Sequence, residues 1–107
     1  MGYSASSKAF RAMDRLMDIK RRETGSAGSN YWEVDGIVTM FEVGRENKDG
    51  AMTGTVLRSV SKNNNGVKRL GSFRIEPDGT ISRFPGLTKK EIDTLNAFND
   101  GAMFVAV

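Results

Sequence analysis

Four clusters of Asn, Asp and Gly cut the middle of this sequence into short segments, and they constrain the fold more than any other feature. They are Asp35-Gly36, Asn47-Lys48-Asp49-Gly50, Asn63-Asn64-Asn65-Gly66 and Pro77-Asp78-Gly79. Asn, Asp and Gly tolerate the positive φ angles of tight turns. Between the clusters the apolar residues recur with a period of two: Ile37, Thr39, Phe41 and Val43 alternate with Val38, Met40 and Glu42, and Phe73 and Ile75 with Ser72, Arg74 and Glu76. That is strand periodicity. Connections this short join only antiparallel neighbours, so residues 31–84 are expected to form a meander. Strands are expected at Met52–Ser61, Val67–Glu76 and Thr80–Phe84. Asp35-Gly36 fits either a hairpin turn or a bulge in one long strand. The bulge is preferred here, because a strand confined to Tyr31–Val34 is short.

The flanks have helical spacing. In 5–22, Ala9, Phe10, Met13, Leu16 and Met17 fall on one face, with Ser4 as N-cap and Lys20, Arg21 and Arg22 at the negative end of the helix dipole. Thr24–Asn30 is rich in small residues and reads as a flexible linker. Residues 88–99 open with Thr88-Lys89-Lys90-Glu91, a capping box, flanked by Leu87 and Ile92 as a hydrophobic staple. Ile92, Leu95 and Phe98 form the stripe of this helix, and Asn99-Asp100-Gly101 stops it. The chain then runs apolar through residues 102–107, expected to pair as a strand within the domain or across a homodimer. The expected fold is α+β in a single domain: an N-terminal helix, a four- to five-stranded antiparallel β-meander, a C-terminal helix and a short closing strand. Both helices are expected on one side of the sheet, which leaves the other side open to solvent or a partner.

Composition narrows the chemistry. The 107 residues contain neither Cys nor His. The commonest general base, the thiol nucleophile and the usual ligands of zinc, iron and copper are therefore missing. Without Cys there is no disulfide framework, which favours a reducing, cytoplasmic setting. No apolar run approaches the roughly 20 residues that span a bilayer. Glu33 and Asp35, two apart on a regular strand, could with Glu42 or Glu46 hold magnesium or act as an acid–base pair, but nothing places a nucleophile or oxyanion donor beside them. No catalytic residue, cofactor or metal site is assigned.

Binding remains. The formal net charge is +3. Lys8, Arg11, Arg15 and Arg22 share a face of the first helix, while Arg58, Lys68, Arg69, Arg74 and Arg83 lie on successive strands or their ends. Rows of Lys and Arg suit phosphate backbones, because each neutralised phosphate releases a counterion. Sheets that bind single strands add aromatic stacking platforms, and Trp32 is the candidate, although its size makes a core position the default. The expectation is a non-enzymatic nucleic-acid-binding domain that uses the basic helix and the open sheet. The alternative is a protein–protein interaction module such as an inhibitor, adaptor or assembly subunit.

Overall fold

The structure, a computed structural model, describes residues 5–60 and 66–99. Helix α1 (Ala5–Thr24) leads into strands β1 (Tyr31–Val34), β2 (Ile37–Glu46), β3 (Met52–Ser59), β4 (Val67–Ile75) and β5 (Ile81–Arg83), and helix α2 (Lys89–Asn99) follows. The strands form one antiparallel sheet in the order β1-β2-β3-β4-β5, which is the expected meander. The expected N-cap Ser4 and the closing strand at 102–107 lie outside the described residues.

Both helices cover one face of the sheet. Ala12, Met13, Leu16 and Met17 of α1 and Leu95 of α2 are buried with Trp32, Phe41, Val56, Phe73, Ile75 and Ile81 of the strands. At the centre, Phe73 stacks on Phe84 at 5.1 Å and meets Phe41 edge-on at 5.9 Å. Gly54, opposite Phe73 in the register, makes room for that ring: a Cβ there would lie 2.2 Å from it.

Three local expectations are corrected. First, Asp35-Gly36 is a hairpin turn, not a bulge. Both residues have positive φ, 52° and 82°, and Val34 pairs with Ile37. A two-residue loop of this hand matches the twist of the strands it joins. Second, Thr24–Asn30 is not a loose linker. Helix α1 runs on to Thr24, where Gly25 takes a positive φ of 72° and its N–H donates to the Arg21 carbonyl at 2.9 Å, a left-handed helix cap. The segment then lies along the outer edge of β1: Glu33 N–H donates to Ser26 O, Gly28 N–H donates to Tyr31 O, and Ala27 bridges Trp32. This strap supplies the partners that a four-residue edge strand otherwise lacks. Third, Phe10 is 59% exposed. The buried stripe runs through 12, 13, 16, 17 and 20, and at 3.6 residues per turn Phe10 lies roughly 90° round the helix from its centre.

Helix α2 starts as its sequence predicts. Thr88 N–H donates to Glu91 Oε1 at 2.9 Å, and Glu91 N–H donates to Thr88 Oγ1 at 3.1 Å, closing the capping box.

Candidate nucleic-acid interface

The cations that look alike in the sequence have different fates in the fold. Lys20, at the end of the buried α1 stripe, is only 7% exposed. Its ammonium meets Glu91 Oε2 at 2.6 Å and Glu23 Oε2 at 3.5 Å, and it lies 4.9 Å from the centre of the Trp32 ring. Trp32 is thus a core residue (3% exposed) that carries an internal cation–π contact, and its ring is not offered to a nucleobase. Glu91 carries two functions, capping α2 and binding Lys20. Burial alone would raise its pKa, but hydrogen bonds from Lys20 and from Thr88 outweigh that and hold it below the usual value. A groove of about 180 Å³ between Leu16, Ile19, Thr94 and Leu95 opens over this pair. Lys20, Glu23 and Glu91 in its lining already satisfy one another.

Arg74 is equally engaged. Its guanidinium binds Asp49 Oδ2 at 2.6 Å and Glu76 Oε2 at 2.8 Å, while Ser82 Oγ donates to the same Glu76 oxygen. The Ala51 N–H and Arg74 hold the Asp49 carboxyl below its ordinary pKa, and Arg74 and Ser82 do the same to Glu76. A guanidinium clamped by two carboxylates has little left for a phosphate.

On α1 the expected basic row is interrupted. Arg11 and Arg15 are half-buried and engaged within the protein. Asp14 and Asp18 are exposed on the same helix, and Asp18 accepts from Arg21 at 3.0 Å. Arg22 is exposed, and the side chain of Lys8 lies outside the described residues.

The strand cations do not share one face. Arg58 opposes Thr39 in the register and donates to Thr39 Oγ1 at 2.9 Å. It therefore stands on the helix-covered face, packed against Gly86 in the β5–α2 connection. Lys68 is its register partner on β4 and is exposed. Arg69 opposes Leu57, is exposed on the open face and donates to Ser72 Oγ at 3.0 Å. Arg83 is exposed at the far end of the sheet, beside Arg74.

What the fold brings together is narrower than the expected set: Arg58, Lys68 and Arg69 at the distal end of the β3–β4 hairpin. The sequence has no Asp or Glu between Gly50 and Ile75, so neither strand brings a carboxylate to this end. Val60 and Val67, each 60% exposed, lie beside these cations. The acid-free run was visible in the sequence, and strand alternation puts Lys68 and Arg69 on opposite faces. Which of the two joins Arg58 was not visible, because it depends on the register shift between Val56 and Leu57.

The carboxylate pair suggested by spacing is separated. Glu33 lies in β1, but Asp35 lies in the turn, so the two do not share a strand face. Among the described residues no three His, Cys, Asp or Glu side chains are grouped so as to hold a metal ion, and no helix is long and apolar enough to cross a membrane.

Asn96 was missed altogether. From α2 its side-chain carbonyl accepts from Ile81 N–H and its amide donates to Ile81 O, both at 2.9 Å. A side chain thus stands in for a sixth strand along the edge of β5. No pattern in the sequence distinguishes it from a solvent-facing asparagine. The chain matches no family model, no curated protein and no solved structure.

Proposed function

We propose that this domain binds nucleic acid through the distal end of the β3–β4 hairpin, with Lys68, Arg69 and Arg58 contacting the phosphate backbone. One observation carries the reading: three cations converge where neither strand supplies a carboxylate, whereas Lys20 and Arg74 elsewhere are held by acids. Arg58 and Lys68 lie on one face of the hairpin and Arg69 on the other, an arrangement suited to gripping a backbone and not to reading bases in a groove. Function in this reading is non-enzymatic and set in the cytoplasm, in keeping with a chain that lacks His and Cys.

The test is fluorescence anisotropy with labelled single-stranded and duplex DNA and RNA at about 50 and 200 mM salt. Binding should weaken steeply as salt rises, and Lys68→Ala should lower the salt slope by about one contact. Absence of binding at the lower salt would end this reading. The exposed Val60 and Val67 favour a second one, a protein-interaction module docking at the same hairpin end. It predicts a complex nearly insensitive to salt and abolished by Val67→Asp.

A further inference from the structure

The open face of the sheet carries a row that is complementary to itself. Tyr31 opposes Met40, Met40 opposes Leu57, and Leu57 opposes Arg69, so these four side chains cross β1 to β4 in one line. The line reads aromatic, apolar, apolar, cation. Tyr31 is 40% exposed, Met40 and Leu57 are half-buried on the face away from the described helices, and Arg69 is exposed. Charge is divided in the same sense. Glu33 and Glu42 accompany the β1–β2 side of this face, and Arg69 and Arg83 the β4–β5 side, where Arg74 is already neutralised by Asp49 and Glu76.

We infer that the open face is a homodimer interface, with a second copy of this chain stacked on it about a twofold axis parallel to the strands and passing between β2 and β3. That rotation turns the copy over and exchanges its left and right. Met40 then meets the second copy's Leu57, and Tyr31 meets the second copy's Arg69, each contact occurring twice. The tyrosine ring takes the guanidinium in a cation–π contact. The acidic half of each sheet lies over the basic half of the other. The packing is aligned sheet on sheet, with side chains filling a layer about 10 Å thick.

The edges of the sheet point the same way. The strap at 26–28 occupies the outer edge of β1, and Asn96 occupies that of β5. The overhang of β2 beyond β1 is bulged between Val43 and Glu46 and carries Glu42, Arg45 and Glu46. Bulges and charges discourage strand addition. Among the described residues, the open face is thus favoured over the sheet edges for association.

This inference does not depend on nucleic-acid binding; Arg69 enters both readings, so Leu57→Asp and Met40→Lys test the dimer alone and Lys68→Ala tests nucleic-acid binding alone. Sedimentation velocity from about 10 to 500 µM should show the wild-type protein passing from monomer to dimer. Leu57→Asp and Met40→Lys should each raise the dissociation constant about 30-fold or more. Mixing these two variants should restore the dimer, because each mixed pair makes one native Met40–Leu57 contact and one Lys–Asp contact. Arg69→Glu, at an exposed position, should also yield a monomer whose melting curve matches the wild type at concentrations where both are monomeric. A wild-type protein monomeric throughout the range, an Arg69→Glu protein that still dimerises, or a mixture of folded variants that stays monomeric would overturn the inference.

Discussion

The two ends of β4 carry similar cations and use them differently. At one end Arg74 is clamped by Asp49 and Glu76 and fastens the 47–50 turn to the strand. At the other, Lys68 and Arg69 project from a hairpin end to which neither strand contributes an acid. What separates structural charge from available charge is therefore the neighbouring carboxylate and not exposure alone, since Arg69 and the Lys89 that pairs with Asp93 at 3.1 Å are both exposed. Lys20 is the extreme structural case, nearly buried and bound by two carboxylates and a ring.

Variants can break this contrast in order of effect. Glu91→Ala should cost most, about 2–3 kcal/mol in chemical denaturation, because it removes half the capping box and leaves Lys20 buried with only the more distant Glu23. The same carboxylate sets a pH dependence. Its folded pKa lies below the ordinary 4.5, so its contribution is present above that value and is lost as pH falls through the depressed one. Melting curves between about pH 5 and 3 should therefore be flatter for Glu91→Gln than for the wild type. Asn96→Ala comes next, at about 1–3 kcal/mol, because it orphans the Ile81 N–H and C=O together. Amide exchange at Ile81 should accelerate more than at Phe73. Arg74→Met should lower the melting temperature only slightly and by less at high salt, as expected for exposed ion pairs. Lys68→Ala should leave it unchanged while weakening nucleic-acid binding. If Lys68→Ala destabilises the fold as much as Arg74→Met does, the distinction between the two ends of β4 fails.

The meander, its turns at 47–50 and 77–79 and the α2 capping box were legible because each depends on residues adjacent in sequence. The hairpin at Asp35-Gly36 was underweighted because the stability of a four-residue β1 comes from elsewhere, through the Ser26–Gly28 strap. The burial of Trp32 followed from its size, but the ammonium over its ring did not, because Lys20 at a helix C-terminus reads as a dipole complement until α2 brings Glu91 to it. For the candidate site, the positions of Lys68 and Arg69 were legible as charge. Their separation from Arg74 was not, since Asp49 reads only as a turn former until the sheet brings it to the guanidinium.

The capping box of α2 has a consequence beyond its local hydrogen bonds. In most helices the first turn frays independently of the rest of the molecule, opening and closing at little cost. Here the carboxylate that closes the turn also grips an ammonium on the other helix. Unwinding the first turn of α2 therefore releases Lys20, and pulling α1 away uncaps α2. A local equilibrium becomes a shared one, so the opening amides of α2 should exchange with the cooperative unit that contains α1.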